Sequence, residues 1–469
     1  MYKDGMKQNA AALRNRFASM LLCFLLFILT NRTATADERK ILTLEQMIQM
    51  ALQSSSELKM AEQDILAAKG DYMQARGGQF AQLDINAMTG PTCDAEVPTV
   101  VVKDGIGHLV SHDHTWDMEI FGRLDFVIAQ PLYTFGKITY RKEAAALDVE
   151  AQQAARDEQR NRVVLNVKEL YYAYLVAIQG KGEAREADDF LNDARKRIKR
   201  LVELKAKNVD QNDLYRLDSF SGEAKAFAVK ADSGARVAYI ALKKAIGLPE
   251  NEEFRVKVTE LPKDLLQLDP EEEYVLRALE RRPEILEVKK GVGAKGKLAD
   301  AAKADLYPSI YASIQGSVAG APDRQHFDNS YVDDAFNHHY AGIVMGAQWH
   351  FDLGIGKGKL ARAKAEHQKI VDTLELAKNS ISVQVVKYYQ DAIEAQKSYE
   401  AYEQAAIGSR RWMVSTFSNF DLGIGTARDM FEAIDRYGKN QGEHIRSLYN
   451  YHVSLARLDY ATGRGADVP

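Results

Sequence analysis

Asp429 and Glu432 are the carboxylates whose spacing could do chemistry. Three residues apart on one helix, they share a face. Asp429 falls in the first turn of that helix, where free amide groups favour a carboxylate. One role open to the pair is therefore a helix cap. The other is holding cations, which needs more carboxylates at the same level, because hard cations take several oxygen ligands. Asp213 is the counterpart of Asp429 in an internal repeat. Ser, His and Asp are plentiful, yet there is no nucleophile elbow, phosphate loop or zinc-binding helix motif. No enzyme activity and no cofactor are expected. His108, His112, His114, His326, His338 and His339 fall in two loops. The His-x-His at 112 and 114 is a weak motif, loop ligands must converge in space, and solvated residues are the simpler reading. No metal is expected.

The elements that must position Asp429 and Glu432 are long helices. Between Pro131 and Pro249 there is no proline, and good helix formers dominate. Val163, Val167, Leu170, Tyr174 and Ala177, then Leu191, Ala194, Ile198 and Leu201, recur at steps of three and four, the seam of a coiled coil. The stretch 207–212 interrupts the pattern with turn-forming Asn and Asp. Two antiparallel helices are predicted, 137–206 and 211–246, meeting at a tip that includes Asn208 and Val209. Residues 167–247 then align without a gap on 383–463: Tyr172 on Tyr388, Asp213 on Asp429, Gly247 on Gly463. Upstream, Ala51-Leu52 repeats as Ala278-Leu279 and Glu57-Leu58 as Glu284-Ile285. The chain is one unit duplicated in tandem. Its second pair of long helices is predicted at 357–418 and 427–461, with a tip at 420–425, where Gly423 and Gly425 let the chain turn.

Residues 1–36 carry the marks of a secretory signal: Lys3, Lys7, Arg14 and Arg16, an apolar core over 20–29, and Ala34-Thr35-Ala36. Cys23 follows Leu22 rather than a small residue, so no lipid anchor is expected. Without this segment Cys93 is the one cysteine left, and no intramolecular disulfide can form. The formal net charge of −4 gives no reason to expect nucleic acid. The first repeat is read as 37–250, a Pro- and acid-containing linker as 251–272 with a short strand at 254–258, and the second repeat as 273–469.

Each repeat opens with a helix, the first over 42–78 from Thr43 and Gln46 as a capping box. The period then changes to two. Leu83, Ile85 and Ala87 alternate with polar residues, as do Met118, Ile120, Leu124, Phe126 and Ile128. Ile310, Ala312, Ile314 and Val318 form a third set, and Ala341, Ile343, Met345, Ala347, Trp349 and Phe351 a fourth. Strands are predicted at 80–90, 117–130, 306–319 and 340–352, each long enough to cross a bilayer when tilted. Trp116, Phe121, Tyr133, Tyr340, Trp349 and Phe351 lie near strand ends, where membrane barrels carry aromatic girdles. Four strands cannot close a barrel, so several copies must share one. Two copies would give a filled barrel and three an open one.

With these features the chain resembles the outer-membrane efflux proteins of the TolC family across its mature length. Similar pieces are Leu42-Thr43-Leu44-Glu45-Gln46, Gln130-Pro131-Leu132-Tyr133 before Gly136-Lys137, Arg282-Pro283-Glu284-Ile285, Leu306-Tyr307-Pro308-Ser309-Ile310, and Leu422-Gly423-Ile424-Gly425-Thr426 before Asp429. The resemblance implies a mainly α fold with a membrane β part. It implies a homotrimer with a twelve-stranded barrel in the outer membrane and a tunnel of coiled-coil helices in the periplasm. Such channels dock a periplasmic adaptor and an inner-membrane pump, in a tripartite efflux or type I secretion system. The resemblance further implies that Asp429 and Glu432 ring a periplasmic constriction, Asp213 contributing, and that Leu422, Gly423, Ile424, Gly425, Asn208 and Val209 touch the adaptor. Phe420 and Gly425 stand where some members carry Tyr and Arg that lock the tunnel shut, so that lock is not carried over. The competing reading is a periplasmic coiled-coil adaptor without a pore. Four bilayer-length amphipathic strands argue against it.

Overall fold

The computed structural model describes residues 40–93, 99–103, 105–110, 118–206, 209–322, 324 and 334–464. The expected signal segment lies outside them. The elements are β1 (Lys40–Leu42), α1 (Leu44–Ser54), α2 (Ser56–Gly77), β2 (Gln82–Cys93), β3 (Thr99–Lys103), β4 (Ile106–Val110), β5 (Met118–Tyr133), α3 (Lys137–Glu203) and α4 (Gln211–Ala245). They continue with β6 (Phe254–Val256), α5 (Glu271–Arg281), α6 (Pro283–Ala304), β7 (Ser309–Gly320), β8 (His338–Gln348), α7 (Ile355–Asp421) and α8 (Ala427–Ala461).

The duplication is visible in the helix lengths. α1 and α5 have 11 residues each, α2 and α6 have 22, α3 and α7 have 67, and α4 and α8 have 35. The helix read as continuous over 42–78 is broken once. Ser55 ends α1 in an extended conformation and caps α2 by accepting from Leu58 N–H at 3.2 Å. At the same place in the second repeat Pro283 opens α6, its missing N–H costing nothing in the first turn.

A 67-residue helix spans roughly 100 Å. On α7 the buried residues are Ile381, Val385, Ala392, Ala395, Tyr399, Ala406, Ser409, Met413 and Phe420. Their steps of three, four and seven are a heptad seam. α8 packs along it, and α4 packs along the matching seam of α3. The long helices stop at left-handed residues, Lys205 after α3 and Gly423 after α7. The first tip (204–210) is longer than the second (422–426).

Two further glycines show the repeat at close range. Gly247 and Gly463 follow α4 and α8 with φ near +71° and +75°. A Cβ on Gly247 would press into Ser54, the last residue of α1, and one on Gly463 would sit 3.0 Å from the carbonyl oxygen of Arg281, the last residue of α5. Each glycine therefore both turns the chain and lets it pass the preceding short helix.

β2, β5, β7 and β8 form one antiparallel sheet in that order. β2 and β8 are its edges, each with one side unpaired. β1 pairs in parallel with β6, so the linker is tied to the start of the described chain. Tyr451 and His452 of α8 hold the linker as well. Leu266 N–H donates to the Tyr451 hydroxyl at 2.7 Å, and His452 Nε2 lies 2.7 Å from the Pro262 carbonyl. The ladder β3–β4 was not anticipated, because Val100-Val101-Val102 is short and lies in a polar, Gly-containing stretch. Among the described residues no helix is long and apolar enough to cross a membrane.

Candidate functional site: the hairpin tips and the two faces of the sheet

The tips of the two helical hairpins are held together by an apolar cluster. Leu191, Ala194 and Ile198 of α3, Leu217 of α4, Phe420 of α7, and Ala427, Met430 and Phe431 of α8 are all buried there. Phe190 meets Phe417 edge-on with centroids 4.5 Å apart. Arg197 Nη1 lies 2.6 Å from Asp421 Oδ2, an ion pair from α3 to α7 at the edge of the cluster. Sequence reading missed that pair, since nothing in the spacing of residues 197 and 421 signals contact.

On this base the acidic residues take different positions. Asp213 is buried. It forms a capping box with Asp210, each side chain accepting the other's backbone N–H, at 3.0 and 3.1 Å. Arg216 is 3.6 Å away. Asp429 is exposed on the first turn of α8, where its Oδ2 accepts from the Thr426 hydroxyl at 2.7 Å. Thr426 in turn accepts from Asp429 N–H at 3.3 Å. Glu432 is exposed one turn on. Within one chain Asp429 and Glu432 are exposed on the first turns of α8, and Asp213 is buried on the first turn of α4.

The tip residues also differ. Leu422 and Ile424 are exposed at 72% and 78%, large apolar side chains at the far end of a hairpin. Gly423 turns with φ +73°. Gly425 donates to Asn419 O at 3.1 Å, and a Cβ there would crowd Phe420 N at 3.2 Å. Val209 packs against the buried cluster, and Asn208 lies outside the described residues. Phe420 is buried inside the cluster, facing away from solvent.

At the other end, strand register gathers the apolar sets into one face. Ala87 pairs with Leu124 and Leu124 with Val318; Ile85 pairs with Phe126; Ile128 pairs with Ile314 and Ile314 with Ile343. These residues, with Met118, Ile120 and Met345, make an exposed apolar face. Phe126 covers Gly316 on it, where a Cβ would lie 2.6 Å from the ring. The opposite face is polar: Asp84, Asn86, Arg123, Asp125, Gln315 and Ser317 lie on it. Arg123 Nε is 2.9 Å from Asp125 Oδ1. Ser317 Oγ is 2.8 Å from His338 Nε2, whose Nδ1 lies 2.8 Å from Asp334 O. Arg324 grips the Asp334 carboxylate with two nitrogens at 2.8 and 3.1 Å.

Several aromatic and histidine expectations need correction. Phe121 and Tyr340 lie on the polar face, and Phe121 packs against Phe336 with centroids 4.8 Å apart. A bulge between Pro131 and Tyr133 moves Tyr133 to the apolar face. β8 ends at Gln348 rather than 352, because Asp352 turns to cap α7, accepting from Gly354 and Gly356 N–H at 3.0 and 2.9 Å. Trp349 and Phe351 therefore lie below the strand. His108 belongs to β4, and His338 and His339 to β8, not to loops. Trp116, His112, His114 and His326 lie outside the described residues. Among the described residues no three His, Cys, Asp or Glu converge as a metal site.

Residues 275–464 match the family model described as outer membrane efflux protein. No curated protein matches the chain. Among solved structures, the outer membrane protein VceC of Vibrio cholerae is similar with TM-score 0.72 at 17% identity, over 90% of this chain and 96% of that one. The open-state outer membrane channel MtrE of Neisseria gonorrhoeae gives 0.72 at 19%, over 90% and 89%. The outer membrane channel CmeC of Campylobacter jejuni gives 0.71 at 14%, over 90% and 86%. At these identities the likeness is one of fold.

Proposed function

We propose that the chain is the exit conduit of a tripartite efflux or type I secretion system, a reading supported by the match of residues 275–464 to the outer membrane efflux protein model. It conducts substrates passively from an inner-membrane pump across the periplasm and the outer membrane. The observation that carries this reading is the sheet with two open edges. Its apolar face suits lipid and its polar face suits water, yet four strands cannot close. Three copies, β8 of one beside β2 of the next, give twelve strands with an open centre. The long hairpins then continue the bore as an α-barrel.

At the far end Asp429 and Glu432 of three copies give six carboxylates around the narrow tip, with Asp213 as their buried counterpart in the first hairpin. Carboxylates that close attract cations. The exposed Leu422 and Ile424, with Gly423, Gly425, Asn208 and Val209, form the surface for a periplasmic adaptor. Large apolar side chains exposed together at a hairpin end mark an interaction surface.

The mass of the purified protein in mild detergent tests the assembly. A trimer that loses mobility shift only on heating is expected; a monomer with no higher species overturns it.

A further inference from the structure

The first turns of α7 carry a concentration of positive charge, most of it without a partner among the described residues. Residues 355–365 contain Lys357, Lys359, Arg362 and Lys364 and no acid. All four are exposed. Arg362 pairs with Glu366 at 2.9 Å. Lys357, Lys359 and Lys364 have no ion-pair or hydrogen-bond partner among the described residues. Cations at a helix N-terminus oppose the helix dipole, so local stability does not explain them.

The first repeat supplies an internal comparison. At the start of α3, Lys137 donates to Tyr307 O at 2.7 Å and to Ser309 Oγ at 2.9 Å. Arg141 grips both Asp305 oxygens at 2.7 and 2.9 Å. Lys142 reaches Gln79 Oε1 at 3.4 Å. There the cations are used inside the chain; at the start of α7 only Arg362 is paired, and Lys357, Lys359 and Lys364 have no partner among the described residues. Directly before them lies the most exposed apolar run of this end of the sheet: Trp349, Phe351, Leu353 and Ile355, with Leu353 fully exposed at 101%.

An apolar and aromatic belt followed within one or two helical turns by exposed cations, most of them unpaired, is the pattern that meets a membrane surface bearing anionic headgroups. Lys357 and Lys364 lie on one side of the helix, and Lys359 and Arg362 on another. Their long stems let the charges reach up to the headgroup level from both sides. We propose that this collar binds the phosphate-bearing headgroups of anionic phospholipids in the leaflet on the hairpin side of the membrane. The inference rests on the membrane placement proposed above.

Tryptophan quenching tests it. The chain has three tryptophans, so Trp116→Phe with Trp412→Phe leaves Trp349 as the reporter beside the collar. The full-length protein is reconstituted into phosphatidylcholine vesicles containing, at equal mole fraction, either brominated phosphatidylglycerol or brominated phosphatidylcholine. Enrichment of the anionic lipid should give about twofold more quenching by the glycerol lipid, falling with added salt. In the variant Lys357→Gln, Lys359→Gln, Arg362→Gln, Lys364→Gln the two lipids should quench equally, while brominated phosphatidylcholine still quenches as in the parent. Equal quenching in the parent, or an undiminished excess in the variant, overturns the lipid site. No quenching by either lipid would instead overturn the membrane placement beneath it.

Discussion

At the scale of the residue, the acidic tip offers a clear separation of roles. If Asp429 and Glu432 line the constriction, a trivalent cation applied from the hairpin side should block conduction. Replacing both by Ala should abolish the block and leave assembly intact, since one lost cap costs about 1 kcal/mol. An unchanged block with slightly lower thermal stability would leave Asp429 a cap and no more. His452 gives a pH effect of known sign. Burial lowers its pKa below the ordinary value of 6.5, with the hydrogen bond to Pro262 acting against it. A histidine kept neutral in the folded state costs stability as pH falls below about 6.5, where the unfolded chain takes up the proton first. Thermal melts between neutral pH and pH about 5 should show that fall, and His452→Gln should reduce it, the rest staying with His444, whose pKa burial also lowers. Asp429 and Glu432 were legible as a pair from their spacing. The burial of Asp213 was not, because the same Asp-x-x-Asp pattern that caps a helix also reads as an exposed acidic pair.

At the scale of the element, strand faces and helix ends carry the testable content. Leu124→Arg puts a charge on the apolar face and should destabilise the assembly by about 2–4 kcal/mol if it lies near the bilayer midplane. Gln315→Arg, on the exposed polar face, should cost far less and alter ion selectivity instead. Similar losses from the two in a heat-modifiability assay would mean the faces are assigned the wrong way round. Gly247→Ala should lower stability by about 1–2 kcal/mol from its left-handed backbone alone, with more from the clash against Ser54. Gly463→Ala should do the same at Arg281, and thermal unfolding of the two variants would show it. The apolar sets of all four strands were readable from their period of two, since a half-buried strand repeats at that period whatever pairs with it. Pairing details were not. The bulge at Pro131 and the early end of β8 depend on contacts made after the strands meet, Asp352 with α7 and Trp349 with Leu306 O at 3.1 Å. Nor did the sequence mark the break at Ser55, whose cap looks like any serine inside a helical run.

At the scale of the whole molecule, duplication does most of the explaining. Equal helix lengths in the two repeats, two heptad seams and a sheet drawing two strands from each repeat follow from one unit used twice. The long seams were legible because a heptad repeats over so many turns that chance cannot imitate it. Contacts between the repeats, such as Arg197 with Asp421, were not, because charge pairs across distant segments leave no period in the sequence. What a single chain lacks is closure, and the central claim is that copies supply it around an open bore. Single-channel recording of the purified full-length protein in a planar bilayer tests that claim most directly. The account predicts a steady conductance that favours cations, while inserted protein that passes no current would contradict it.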